Sequence, residues 1–310
     1  MRAGRFARLS LLVAALLPAA PARAGLAPDQ PDLAFGAYQR GYFNTAFQEA
    51  MKRIEADSHD AAAMTLVAEL YVAGVGAPPN LGEAMRWYRL AADAGDKNAQ
   101  YALGNAYLTG VGQTKDVAAA MALFEKAASQ GHAGAWFNLG VIALEGNGVA
   151  SDFVKAAEDF RRSAEFGFPD AAYSLALLYR EGRGVEKDRT KAAEWMLIAA
   201  REDYLAAQVE YGIMLFKGEG VPVDQARAAK LFRLAAEQGN PVAQNRLARL
   251  YANGVVVKEN PVQAAKWHLL ARSAGVSDFT LDLMLAKLTK EQRAEAEKDA
   301  EGWRNGRLSE

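Results

Sequence analysis

One column of glycines constrains this chain more than any other feature. Gly74, Gly110, Gly146, Gly182, Gly218 and Gly254 recur every 36 residues without a gap. A fixed period of that length marks a solenoid of helical hairpins, because one hairpin cannot bury its apolar face alone and stacks on its neighbours to do so. The 310-residue chain would suit two globular domains, but a solenoid grows by adding units and escapes that size limit.

The columns around the glycine predict how each hairpin is built. In the first helix, helix A, Val67, Leu103, Leu139, Leu175, Tyr211 and Leu247 form a large apolar column. The next position holds only small residues: Ala68, Gly104, Gly140, Ala176, Gly212 and Ala248. Three residues further stand Tyr71, Tyr107, Ala143, Tyr179, Leu215 and Tyr251, so large and small residues share one helical face. The glycine then ends helix A in a left-handed conformation. Helix B restarts at Asn80, Asp116, Asp152, Asp188, Asp224 and Asn260, a column of N-cap residues. Helix B is expected to bury Trp87, Leu123, Trp195, Leu231 and Trp267, and with them Tyr88, Phe124, Phe160, Met196, Phe232 and His268. Asp159 interrupts the first of these columns and is expected to face solvent. Gly95, Gly131, Gly167, Gly239 and Gly275 close helix B, with Asp203 as the exception.

The set Ala99-Gln100-Tyr101, Leu103-Gly104, Tyr107, Gly110-Val111-Gly112, Asp116 and Ala127-Ala128 resembles the Sel1-like repeat, a relative of the tetratricopeptide repeat with a longer inter-helix loop. The resemblance covers six units, about residues 60–275, with local departures at Ala143, Val256 and Asp203. It implies an all-α fold, a right-handed superhelical solenoid of Sel1-like, tetratricopeptide-like hairpins. It also implies a non-enzymatic role in which another protein is bound. Exported members of such a family include regulators that hold sensor kinases in check and proteins of envelope assembly or host contact. A different class, hydrolases or binders acting on cell-wall material or β-lactams, belongs to cysteine-rich relatives that staple each unit with a disulfide; this chain has no cysteine.

The ends read differently. Arg2, Arg5 and Arg8 precede the apolar run Leu9 to Leu17, and Ala22-Arg23-Ala24 is a small-x-small site, so residues 1–24 read as a secretory signal and the expected location is the periplasm. Loss of its four arginines would take the formal charge from −1 to −5, a poor balance for binding nucleic acid. No second long apolar run suggests a membrane span. Residues 25–31 read as a linker and 32–58 as a degenerate tetratricopeptide-like hairpin. Residues 276–310 read as capping helices and a tail, the first with Phe279, Leu283 and Leu285 or Met284 inward. Thr289 and Gln292 form a capping box before the second, whose Trp303 folds back on the last repeat.

No reactive set emerges. His59, His132 and His268 share no ligand spacing, which argues against a metal site. The Gly110-Val111-Gly112 turns follow a helix and lack Lys-Ser or Lys-Thr, so they are not phosphate loops. Ser163 and Ser174 have no histidine at a usable distance. Glu145, Glu181 and Lys217 share one column and read as a solvated charge ladder. No catalytic residue, metal ligand or cofactor is therefore assigned.

Variation between copies supplies the candidate partner-binding residues. In the tetratricopeptide relatives, the helix-A positions matching Asn98, Tyr101, Asn105, Leu108 and Thr109 line the concave side, and here several of those columns vary. They nominate Tyr101, Asn105, Phe137, Val141, Tyr173, Leu177, Arg180, Ile213, Phe216, Asn245 and Arg249, a trough apolar in its middle and polar at its ends. Such a trough suits an extended peptide or an amphipathic helix. The competing reading is that Tyr101, Phe137 and Tyr173 pack against the next repeat's helix A and meet no ligand.

Overall fold

A computed structural model describes residues 32–146 and 150–308; the signal and linker expected over residues 1–31 lie outside them. Every element among the described residues is an α-helix. A first hairpin, α1 (Leu33–Gln39) and α2 (Phe43–Ala56), turns at Gly41, whose φ is 77°. Six hairpins follow: α3 (Ala61–Ala73) with α4 (Leu81–Asp93), α5 (Lys97–Thr109) with α6 (Val117–Ser129), α7 (Ala133–Glu145) with α8 (Phe153–Glu165), α9 (Pro169–Glu181) with α10 (Arg189–Arg201), α11 (Leu205–Lys217) with α12 (Gln225–Glu237), and α13 (Pro241–Asn253) with α14 (Pro261–Ser273). Two further helices, α15 (Phe279–Ala286) and α16 (Lys290–Leu308), complete the order. The chain divides into two compact units between Ala135 and Trp136. Each unit has its own apolar core.

Each hairpin is punctuated by its own chemistry. Gly110 ends α5 with φ 79°, and its N–H bonds to the carbonyl of Ala106; Gly74, Gly182, Gly218 and Gly254 end their helices the same way. Asp116 then extends (φ −146°), and its carboxylate accepts the N–H of Ala119; Asn80, Asp152, Asp188, Asp224 and Asn260 cap the other B helices alike.

The small-residue column exists because of a ring on helix B. A Cβ on Gly104 would lie 2.7 Å from the Phe124 ring, and one on Gly140 or Gly212 would meet Phe160 or Phe232 at 2.7 Å. Those three phenylalanines are almost fully buried, as are Tyr88, Met196 and His268 in the same column. Three of the junctions between successive repeats are tied by a buried glutamine. Gln100, Gln208 and Gln244 donate from Nε2 to the carbonyls of Ala92, Ala200 and Ala236 of the preceding B helix, at 3.2, 3.4 and 3.3 Å.

Three expectations need correcting. Asp159 is buried: its helix register is held by Phe160, so the carboxylate enters the protein with Lys155 Nζ one turn back at 3.5 Å. The lysine stem reaches in while its side chain remains 48% exposed. Trp195, Leu123 and Leu231 are only half-buried, unlike Trp87 and Trp267. In α15 the inward pair is Leu281 and Leu285, whereas Phe279 and Leu283 are exposed. The register is set by Asp278, which caps Thr280 and Leu281 through Oδ1 and binds Asn245 and Arg249 through Oδ2. The capping box at Thr289 and Gln292 forms, with reciprocal bonds of 3.1 and 3.2 Å, and Trp303 packs edge-on against Trp267 with centroids 6.1 Å apart.

Candidate functional site

The residue that enters each A helix decides what the candidate surface looks like. Asp60, Asp96 and Asn240 occupy that position as ordinary N-caps, accepting from the N–H of Ala63, Ala99 and Ala243. In the middle copies the position becomes His132, Phe168 and Tyr204. His132 still caps, its Nδ1 accepting the Ala135 N–H at 3.1 Å, whereas Phe168 and Tyr204 make no side-chain cap.

What these residues touch is the nominated aromatic of the repeat before. His132 stacks on Tyr101 with centroids 4.2 Å apart, Phe168 lies 5.1 Å from Phe137, and Tyr204 lies 5.2 Å from Tyr173. One repeat earlier the same pairing is polar, with Thr65 Oγ1 donating to Asp96 Oδ1 at 3.0 Å across a separation of 31 residues. Tyr101 and Phe137 also reach the helix-B rings Phe124 and Phe160, at 5.9 and 5.6 Å. All three nominated aromatics are half-buried, so each keeps some accessible surface beside its inter-repeat contact. The entry column is the part of the site that sequence reading missed. Its signal was present, since it changes in step with the Tyr101 column.

The other nominated residues divide into three groups. Asn105 is half-buried, as are Val141, Leu177 and Ile213, the last three packed on the core of their unit. Asn245 departs from the expectation of an outward contact: it is buried, donating to Asp278 Oδ2 at 2.9 Å, because the cap of α15 needs that donor. Arg180 and Arg249 are also engaged within the chain, Arg180 with Glu210 at 2.9 Å and Arg249 Nε with Asp278 at 2.6 Å. Burial pushes the Asp278 carboxyl up, but the bonds from Arg249 and Asn245 outweigh it and hold the group below the usual carboxylate range. Ile213, Phe216 and Arg249 come together around one cavity of about 190 Å³.

Among the ionisable groups of the first unit, burial pushes the Tyr88 hydroxyl far up, and two groups are moved towards neutral pH or away from it. Burial, reinforced by the charge of Asp96, pushes Glu69 up to about 7. Burial and the charge of Lys97 push His132 down to about 4. No cluster of three or more histidine, aspartate or glutamate side chains suited to a metal ion occurs among the described residues. No described helix is long and apolar enough to cross a membrane.

Stacked helical hairpins of constant length, joined by repeated inter-hairpin contacts, define a helical-repeat protein. Six stretches match the Sel1 repeat: residues 61–96, 97–132, 135–165, 169–204, 205–240 and 241–276. The chain belongs to the Sel1 repeat family, whose members are generally protein–protein interaction scaffolds and typically not enzymes.

Two solved structures are similar over most of the chain. A Sel1 repeat protein from Oxalobacter formigenes is 29% identical with a TM-score of 0.64, over 80% of this chain and 100% of that one. The second is c5321, a protective antigen present in uropathogenic Escherichia coli strains. It is 30% identical with a TM-score of 0.55, over 87% of this chain and 67% of that one. Among curated proteins, none matches the chain.

Proposed function

We propose that the protein is an exported scaffold that works in the periplasm, holding a peptide or helix of an envelope protein along its A-helix face and performing no chemistry of its own. The observation that carries this reading is the row of half-exposed apolar side chains in the second unit. Phe137 of α7 and Tyr173 of α9 share one repeat position, Val141, Leu177 and Ile213 of α11 share a second, and Phe216 follows Ile213 on α11. Side chains that pack on a core yet keep an accessible edge are preformed, so a partner orders little on docking. Aromatic anchors of this kind supply most of the affinity in such grooves. The periplasmic location is supported by the basic and apolar character of residues 1–24.

The test replaces Leu177 with a photoreactive residue in cells and identifies the captured proteins, then repeats the capture after Tyr173→Ala with alanine also at 177, using a photoreactive residue at Ile213. Capture of one envelope protein that disappears in the double variant, while the helical signal persists, is the expected result. Capture unchanged by the double variant removes the A-helix face from the proposal. A fusion of residues 1–31 to a reporter active only outside the cytoplasm tests the location, and an inactive reporter contradicts it.

A further inference from the structure

The cavity between α11 and α13 differs in charge from the rest of the A-helix face. Its floor is apolar, made by Ile213, Phe216, Phe232, Leu250 and Val255, and its other lining residues include three cations, Lys217, Arg246 and Arg249, and no acid. Arg246 forms no ion pair among the described residues. Arg249 is engaged by Asp278 through Nε alone, and Lys217 meets Glu219 at 3.4 Å. The chain as a whole carries a formal charge of −1, so this concentration is local.

The preceding notch shows the same positions closed. One period earlier, Phe216 corresponds to Arg180 and Arg246 to Glu210, and those two side chains bond across the notch at 2.9 Å. There the chain supplies both charges itself. In the notch between α11 and α13 a ring replaces the arginine and an arginine replaces the glutamate. Of the three cations beside the apolar floor, Arg249 and Lys217 keep Asp278 and Glu219, and Arg246 is the one whose position has lost the acid that Glu210 supplies one period earlier.

We propose that this notch receives an acidic–apolar segment of a partner protein, one in which an Asp or Glu carboxylate lies within two residues of a large apolar side chain. The apolar side chain occupies the floor and the carboxylate meets Arg246 and the terminal nitrogens of Arg249. The volume of about 190 Å³ falls below the ~300–1,000 Å³ of typical small-molecule pockets, which favours a side-chain anchor over a metabolite. The notch also continues the row formed by Val141, Leu177 and Ile213, so a chain lying along that row reaches it. Arginine binds carboxylate through paired N–H donors, and partial burial beside the apolar floor reduces solvent screening. The inference rests on the scaffold reading and adds the chemistry of the partner.

A phage-displayed library of random 12-residue peptides is panned over the full chain and over Arg246→Glu, Lys217→Glu and Tyr173→Ala/Leu177→Ala variants, each checked for helical content. The wild type is expected to enrich peptides with Asp or Glu beside Phe, Leu, Ile or Met. A synthetic peptide of that motif should bind at least tenfold more weakly to Arg246→Glu and to Lys217→Glu, and to the wild type in raised salt. Enrichment of basic or purely apolar peptides, enrichment indifferent to both charge reversals, or no enrichment overturns the proposal. Peptides lost on Tyr173→Ala/Leu177→Ala but retained by both charge reversals leave the scaffold reading standing and remove the notch from it. Saturable heat with sodium laurate in a titration where no peptide binds overturns the choice of a protein segment in favour of an amphipathic anion.

Discussion

The imidazole of His132 lies almost flat on the ring of Tyr101, 4.2 Å between centroids and 25° between planes, while its Nδ1 accepts the Ala135 N–H at the start of α7. One side chain thus caps its helix and meets the repeat before, as Asp96 does through Oδ1 one repeat earlier, whereas Phe168 keeps only the ring contact. Losing the cap costs about 0.5–2 kcal/mol. Losing the ring contact costs about 0.5–1.5 kcal/mol beyond area burial. His132→Ala should therefore lower stability more than His132→Asn, which keeps a capping oxygen as Asn240 does. A urea-unfolding cycle combining His132→Asn with Tyr101→Leu isolates the stack. Additive effects would mean that the rings share no favourable contact.

His132 and Glu69, both in the first unit, give stability opposite slopes with pH. His132 is held down to about 4, so the folded state binds fewer protons than the unfolded state between about 4 and its ordinary 6.5. Its contribution is present above 6.5 and is lost as pH falls through that window. Glu69 is pushed up to about 7, and Tyr38, Tyr88 and Asp96 are the groups coupled to it. The folded state binds extra protons between about 4.5 and 7, so this contribution falls as pH rises through that window. Thermal midpoints of wild type and two variants from pH 4 to 8 separate the two. Glu69→Gln should gain on wild type steadily from pH 4.5 to 7, and His132→Asn should remove the loss on acidification. A constant offset across the range would show that neither group titrates between the folded and unfolded states as argued.

Trp267 is buried and meets Trp303 of α16 edge to face, whereas Trp195, in the same repeat column, is half-exposed. Trp267→Ala should cost about 3–5 kcal/mol, the range for emptying a buried aromatic site. Trp195→Ala should cost clearly less, because part of its surface is already in water. Since neighbours stabilise one another in a repeat array, Trp303→Ala should release the C-terminal end first, and hydrogen exchange should speed up in α14 and α16 before α9 and α10. Equal exchange along the second unit would show that Trp303 does not hold that end.

The period and the glycine column made the hairpins legible, because the residues that stop helix A and cap helix B act within a few positions of themselves. The inter-repeat contact was harder to read. Phe137 and Tyr173 vary from copy to copy, and variation in a single column fits an outward, partner-facing position and a contact with the next repeat equally well. A contact between neighbouring repeats also varies when both sides change together, as Thr65 with Asp96 becomes Tyr101 with His132 and then Phe137 with Phe168. Asp159 and Asn245 were misplaced for a related reason. Single-column reasoning charges the full cost of burying a polar group, while the structure supplies Lys155 for one and Asp278 for the other. The 213–255 cavity needed residues from three helices and a loop, and no spacing rule joins them.

The second glycine of the inter-helix turn gives a paired prediction of opposite sign. Gly184 has φ 69°, and a Cβ there would run into the backbone of Phe153 at the start of the preceding B helix. Gly184→Ala therefore meets both the left-handed penalty, about 1–2 kcal/mol, and a backbone clash that no side-chain rotation relieves. Gly167, at φ 83° with nothing within 4 Å of its added Cβ, separates the two effects, since Gly167→Ala meets only the first. Val256 stands at the equivalent of Gly184 in the last repeat and keeps φ 66° despite its branched Cβ; it is 49% exposed. Replacing it with glycine relieves the strained backbone and forfeits little buried area, so Val256→Gly should raise stability by about 1 kcal/mol. Urea midpoints should then rank Val256→Gly above wild type, wild type above Gly167→Ala, and Gly184→Ala last. A destabilised Val256→Gly would mean that the valine's half-exposed packing outweighs the strain in its backbone.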